Sequence, residues 1–282
     1  MKRWSRPEGQ PLTPGARAVR IGTPAASGQP MTRVILLPGL ASDAALWRHQ
    51  VPALTDAGHT VHVTDAHARA DTLSAMARLV LAEHEGPLVL VGTSMGGILA
   101  LEVFRQAPQR VAALALLGSS ARPDTPEMIT LRSAAVLEFE QGRMDEVLRA
   151  NVPFAFHPSR QGDAALVNDY FDMVHRAGAA QLVRQNRAIM ARPDSRPLLR
   201  RLQCPVLVVC GDADALTPPE CSREVAAAVP HAELHVLPAC GHLLTWEQPE
   251  AVNALLRDWL GRLGPRSAAG LAGLASLNAN SG

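Results

Sequence analysis

The chain has 282 residues, 47% of them hydrophobic, which suits one large α/β domain or a core with an inserted subdomain. A formal net charge of +1 and an aromatic content of 4% give no support to a nucleic-acid or anionic-membrane partner. No stretch approaches the roughly 20 apolar residues of a membrane span, and no apolar segment of signal-peptide type follows the basic start Met1-Lys2-Arg3.

Residues 1–30 are rich in Pro, Gly and Ala and are expected to form a loose extension. Arg33-Val34-Ile35-Leu36-Leu37 reads as the first strand, followed by a helix over 43–57. Thr60-Val61-His62-Val63-Thr64 is a second strand, with a helix over 73–84. Leu88-Val89-Leu90-Val91 is a third, with a helix over 96–107, and the run from Val111 to Leu117 is a fourth. Continuous Val/Leu runs suit strands covered on both faces.

The alternation then stops. Met128, Leu131, Val136 and Phe139 open a helical pattern that continues over 163–175 and 179–191, punctuated by Pro123, Pro126, Pro153, Pro158, Pro193 and Pro197. This predicts a helical cap, residues 122–198, inserted into a core formed by residues 31–121 and 199–262. Such a cap would lie over the carboxyl edge of the sheet, where open α/β sheets bind ligands.

Alternation resumes with a fifth strand, Pro205 to Cys210, and a helix over 219–229. Thr217 is the expected N-cap there, with Pro218 in the first turn and Glu220 three residues on. Glu233-Leu234-His235-Val236-Leu237 is the sixth strand. A last helix over 248–262 carries Val252, Leu255, Leu256, Trp259 and Leu260 on one apolar face. The small, polar segment 263–282 is expected to be disordered. The predicted fold class is α/β, a mostly parallel central sheet with helices on both faces and the cap inserted before the last two core strands.

Chemistry concentrates at Gly92-Thr93-Ser94-Met95-Gly96-Gly97, between the third strand and its helix. The bare pattern G-x-S-x-G should arise by chance in roughly one chain in ten of this length. Its position on a strand–turn–helix is what makes it a nucleophile elbow. Small neighbours let strand and helix approach around a strained serine, and the helix start favours negative charge beside it.

A serine hydroxyl needs a base, and the base needs an orienting carboxylate. The loops after the fifth and sixth strands supply both types of residue, in Gly211-Asp212-Ala213-Asp214 and Gly241-His242. All three loops lie at carboxyl ends of parallel strands, and the order Ser…Asp…His fits the elbow.

With Leu36-Leu37-Pro38-Gly39-Leu40 and Glu247-Gln248-Pro249-Glu250, these motifs resemble the α/β-hydrolase superfamily, in its small cap-bearing serine esterase branch. The resemblance spans about residues 31–262. It extends to pimeloyl-carrier methyl esterase-like and ring-cleavage-product hydrolase-like proteins. It implies a catalytic triad of Ser94 as nucleophile, His242 as general base and Asp214 as the acid, with Asp212 as the rival for the last role. It also implies an oxyanion hole built from the backbone N–H groups of Leu40 and Met95. Pro38-Gly39 stands where the family often has His-Gly, which keeps a carbonyl but removes one backbone donor.

Phe154, Phe156 and Met190 are candidates to line an acyl pocket, although ordinary helix packing explains them equally well. His157 fits a surface or structural role better than the pocket, and Trp246 a buffer between the His242 loop and the last helix. None of the ten histidines has metal-ligand spacing, so no metal is expected, and no dinucleotide or P-loop motif occurs. Cys204, Cys210, Cys221 and Cys240 read as reduced thiols of a cytoplasmic protein, with a Cys221–Cys240 disulfide left open.

The expectation is therefore a carboxylesterase-type hydrolase, cleaving a small or medium carboxylic ester through an acyl-enzyme and needing no cofactor. Left open beside it are carbon–carbon bond hydrolysis of ring-cleavage products, acyl transfer or perhydrolysis, and a non-catalytic receptor or scaffold. Leu243 stands where many ring-cleavage hydrolases carry tryptophan. The partner expected is a small-molecule ester. An acyl-carrier substrate is not excluded by the sequence, and the oligomeric state is not legible in it.

Overall fold

A computed structural model describes residues 33–263; the expectations for residues 1–30 and for the tail from 264 onward lie outside them. Six strands form one sheet: β1 (Arg33–Leu37), β2 (Thr60–Val63), β3 (Leu88–Thr93), β4 (Val111–Leu117), β5 (Val206–Gly211) and β6 (Glu233–Leu237). Their order is β2-β1-β3-β4-β5-β6 and every pair is parallel.

Period-two alternation sorts the strand side chains into two cores. Ile35, Leu37, Leu88, Leu90, Leu114 and Leu116 pack with α3 (Leu73–Glu83), α4 (Met95–Gln106) and α9 (Pro219–Ala228). Val34, Leu36, Val89, Val91, Ala113 and Ala115 pack with α1 (Gln50–Asp56) and α11 (Pro249–Arg262). Every residue of β3, β4 and β5 is buried, whereas the edge strands β2 and β6 are mostly half-buried. Each fully buried Val, Leu or Ile contributes about 1.5–3 kcal/mol over exposure.

The expected helix over 43–57 is two pieces, a 3-10 turn over Ala44–Trp47 and α1. Pro52 gives the reason. It has no N–H for the middle of one long helix but fits the first turn of a new one. A short α2 (Ala66–Arg69) precedes α3, whose N-cap Thr72 accepts the Ala75 N–H.

Between β4 and β5 lie only helices: α5 (Pro126–Glu140), α6 (Met144–Ala155), α7 (Ala164–Met190) and α8 (Arg196–Leu199). The two helices read over 163–175 and 179–191 form one run, interrupted at Gly178 with φ +75° and ψ 160°. Val136, Phe139, Leu148, Leu166 and Leu182 of this insertion join the core that holds α1 and α11. The expected N-cap Thr217 is corrected: Pro218 occupies that position, and the threonine hydroxyl is engaged elsewhere. A short α10 (Leu244–Glu247) precedes α11.

The chain runs from β1 outward to β2 and returns to β3 on the other side of β1. The loops leaving β1 and β3 therefore diverge at the switch point, the usual ligand crevice of such sheets. All four cysteines are unpaired thiols. Among the described residues, no helix is long and apolar enough to cross a membrane.

Candidate active site

Ser94 follows the last residue of β3 and precedes the first of α4, with φ +49° and ψ −117°. A serine in that region is strained by about 1–3 kcal/mol, so its surroundings must hold it there. The Ser94 N–H donates to Leu117 O at 2.9 Å, and the Ser119 hydroxyl donates to Ser94 O at 2.8 Å. Close packing finishes the turn. A Cβ on Gly92 would run into the Gly96 backbone, and one on Gly96 into Leu37 O. The expected glycine spacing thus has a steric cause on both sides of Ser94.

Two and three strands away, Asp214 after β5 and His242 after β6 form a buried pair. Asp214 Oδ2 lies 2.8 Å and Oδ1 3.0 Å from His242 Nδ1. The carboxyl group is inaccessible and the imidazole only 9% exposed. The Asp214 oxygens also accept the backbone N–H groups of Leu216 and Thr217, at 3.0 and 2.8 Å, and the Thr217 hydroxyl at 2.7 Å. Burial disfavours the Asp214 carboxylate, yet the His242 charge and these donors hold its pKa below the ordinary value. Burial likewise disfavours the imidazolium. The Asp214 charge and hydrogen bond outweigh it, Glu247 adds in the same sense and Arg132 opposes, so the His242 pKa is raised. An ionised Asp214 can only accept, so Nδ1 carries the proton and Nε2 is left as the basic nitrogen.

β4 lies between the two halves of this arrangement. Gly118 follows it with φ +51°, and a Cβ there would stand 3.2 Å from Asp214 Oδ2 and 3.5 Å from His242 Nδ1. Its neighbours Leu117 and Ser119 hold Ser94. One turn therefore touches both the serine backbone and the Asp–His pair. His242 Nε2 and the Ser94 hydroxyl make no hydrogen bond among the described residues. Such contacts are commonly long before substrate binds.

Asp212 does not reach His242. It is exposed, and its Oδ1 accepts the Cys240 N–H at 3.1 Å, bracing the loop after β6. That loop is also tied to the insertion, since His242 N and Leu243 N both donate to Ala155 O.

The loop after β1 completes the rim. A Cβ on Gly39 would sit 3.4 Å from Ser94 Cβ, which brings the Leu40 segment beside the serine. Leu40 is half-buried and packs against both cores, while Met95 is fully buried.

The pocket candidates separate. Phe156 is 1% exposed and meets Tyr170 edge to face at 5.7 Å, which places it in the core. Phe154 is 50% exposed, and Met190 Sδ accepts the Ser133 hydroxyl between α5 and α7. His157 is bonded through its ring to Ser159 and through its N–H to Glu247. Trp246 donates to Ala45 O at 3.0 Å beneath the Arg48 guanidinium. An open cleft of about 540 Å³, lined by Asp71, Thr72, Glu102, Arg105 and Arg187, includes none of Ser94, Asp214 and His242. Among the described residues, no group of three His, Cys, Asp or Glu side chains could hold a metal ion.

Thr217, Gly118 and Ser119 were not legible as site residues. The sequence offered a cap-like Thr217 three residues after Asp214, a spacing that serves the carboxylate as well as a helix. The Gly-Ser pair after the fourth strand carried no distinguishing signal.

The sequence profile described as "Alpha/beta hydrolase family" matches residues 34–255. RutD of Serratia proteamaculans, which bears the name of a carbamate hydrolase, is 26% identical over 242 residues, covering 80% of this chain and 90% of that protein. The 2-hydroxy-6-oxononadienedioate/2-hydroxy-6-oxononatrienedioate hydrolase of Cupriavidus pinatubonensis is 26% identical over 254 residues, covering 81% and 86%. Among solved structures, a thermophilic esterase from Thermogutta terrifontis superimposes with a TM-score of 0.73 at 29% identity, covering 82% of this chain and 90% of that one.

Proposed function

Because the chain belongs to the alpha/beta hydrolase family, we propose that it is a serine hydrolase that cleaves a small or medium carboxylic ester through an acyl-enzyme on Ser94. The observation that carries this reading is the buried Asp214–His242 hydrogen bond, 2.8 Å long, on the same sheet edge as a serine held at φ +49°.

In the proposed reaction Ser94 Oγ attacks the ester carbonyl carbon while His242 Nε2 takes its proton. Asp214 keeps the imidazole in the needed tautomer and stabilises the imidazolium as it forms. The N–H groups of Leu40 and Met95 receive the oxyanion. Collapse expels the alcohol, protonated by His242. Water then adds to the acyl-enzyme under the same base and releases the acid. The esterase from Thermogutta terrifontis, similar over most of both chains, supports the ester as substrate class.

A second reading, hydrolysis of a carbon–carbon bond in a ring-cleavage dienoate, rests on the similarity to the Cupriavidus pinatubonensis hydrolase. A p-nitrophenyl ester panel of graded acyl length, run beside such a dienoate and a carbamate, ranks the readings by kcat/KM. The proposal expects the highest value on an ester, labelling of the chain by a fluorophosphonate, and loss of both in Ser94→Ala. Unchanged ester turnover in Ser94→Ala would overturn it.

A further inference from the structure

Gln185 is fully buried on α7 of the helical insertion, yet it hydrogen-bonds outside the insertion on both sides. Its Oε1 accepts the Ala41 N–H at 2.7 Å, and its Nε2 donates to His67 O at 3.0 Å. Only one orientation of the amide satisfies a backbone donor and a backbone acceptor together, so its direction is fixed by chemistry.

The segment it grips is strained. Residues 39–42 form a turn closed by Ser42 N–H donating to Gly39 O at 3.3 Å, with Leu40 and Ala41 at its centre. Ala41 has φ +58°, where glycine is the usual choice. A positive φ at that third position belongs to the type II turn. The alternative, with the Leu40–Ala41 peptide flipped, would let alanine return to negative φ. That peptide is instead held at both ends: its N–H by Gln185, and its carbonyl by the Ser42 hydroxyl at 3.3 Å.

A second strut braces the same turn. The His67 ring is 2% exposed, and its Nε2 lies 2.8 Å from Ser42 O. Since Gln185 holds the His67 carbonyl, the turn, His67 and Gln185 close into one buried ring of hydrogen bonds.

We infer that Gln185 is a positioning residue that sets the Leu40 N–H for the oxyanion by holding the turn over 39–42 in its strained form. The inference rests on the proposed use of that N–H. It assigns the insertion a task in the chemical step. Loss of Gln185 leaves the Ala41 N–H buried without an acceptor and frees the Leu40–Ala41 peptide; the Leu40 N–H belongs to the peptide before it, Gly39–Leu40, and shifts with the Leu40 Cα as the turn relaxes.

The experiment compares the parent chain, Ser94→Ala, Gln185→Met and Gln185→Glu on the best ester of the panel. It also measures inhibition by an alkyl trifluoromethyl ketone of matching chain. Ser94 Oγ adds to that ketone, the proton passes to His242, and the carbonyl oxygen becomes an oxyanion with no leaving group. The expected result for Gln185→Met is a kcat lower by about tenfold or more with KM within about threefold, because one whole oxyanion donor is worth 10²–10³ in kcat. Affinity for the ketone should fall in parallel with kcat. Gln185→Glu, which keeps an acceptor for Ala41, should retain more of both.

A folded Gln185→Met with kcat and ketone affinity within about twofold of the parent, or with a change in KM alone, overturns the inference. If that variant does not fold, Gln185→Asn, one methylene too short to span both partners, is judged by the same criteria. A dead Ser94→Ala beside an unimpaired Gln185 variant removes this inference only. An active Ser94→Ala removes the proposed function and the inference with it.

Discussion

Glu247 accepts the backbone N–H of His157 at 2.8 Å through one carboxylate oxygen, and the N–H of Gly241 at 3.1 Å through the other. It is 7% exposed. One buried side chain therefore joins the segment after α6 to the loop that carries His242. Burial raises the pKa of Glu247, against the pull of those N–H donors. Its negative charge in turn helps to raise that of His242.

A pH profile follows with a definite sign. The proposed base, His242, would work as neutral imidazole, so activity is expected to be lost as pH falls through its pKa. Since that pKa is raised above 6.5, the acid limb of kcat/KM should lie above the ordinary histidine value. Glu247→Gln removes a contribution that raises it, so the limb should move to lower pH. The amide can accept through one atom only, leaving the other N–H facing an NH₂, at about 1–3 kcal/mol of stability. Kinetics from pH 5 to 9 with thermal unfolding checks both, and an unmoved limb in a folded variant would remove Glu247 from the electrostatics of the site.

Asp214 and Asp212 are two residues apart but differ in burial and partner. Asp214→Asn should lower kcat by about 10⁴-fold, because the amide no longer enforces the Nδ1–H tautomer. Asp212→Asn keeps an acceptor for the Cys240 N–H and should stay within about threefold of the parent, since an exposed loop contact is worth little beyond its single hydrogen bond. Equal losses in the two variants would refute the assignment of the acid.

Much of this is legible in the amino-acid sequence. The six strands were readable because covered parallel strands leave continuous Val/Leu runs, and the elbow because glycines are forced where strand and helix nearly touch. Misreadings came where one residue type serves two purposes. Thr217 has the sequence context of a cap but donates to Asp214. Pro52 was absorbed into a helix that it splits. Gln185 reaches Ala41 across 144 residues and Glu247 reaches His157 across 90, while Gly118 acts through a positive φ, and neither kind of feature leaves a local periodic mark. Phe156 carries two readings in the sequence, pocket lining and ordinary packing, and its edge-to-face contact with Tyr170 accords with the second.

Gly118 should tolerate no side chain. Its φ of +51° costs an L-residue on the order of 1 kcal/mol. An added Cβ would also crowd Asp214 Oδ2 at 3.2 Å and Leu244 Cδ2 at 3.3 Å, tighter than ordinary contact. Gly118→Ala is expected to remain folded while losing kcat by about tenfold or more through displacement of the Asp–His pair. The ester assay with a melting curve checks this, and a fully active Gly118→Ala would mean that the pair has room to shift.

The strongest stability effect is expected away from the reaction, at Asp124. Its carboxylate is inaccessible and lies 2.8 Å from Arg192 Nη1 and 2.8 Å from Arg132 Nε. Arg192 is itself only 5% exposed, and burial lowers its pKa despite Asp124. Removing the shared anion leaves two cations facing each other, one of them buried, so Asp124→Ala should cost about 3–5 kcal/mol. Arg192→Met removes the more buried cation but leaves Asp124 paired with Arg132, and should cost less. Urea unfolding of the two variants and their double variant measures the difference. The order of the two single variants decides the matter. If Arg192→Met were the more damaging, its bonds to the carbonyls of Arg122 and Ile189, rather than the shared carboxylate, would dominate the cluster.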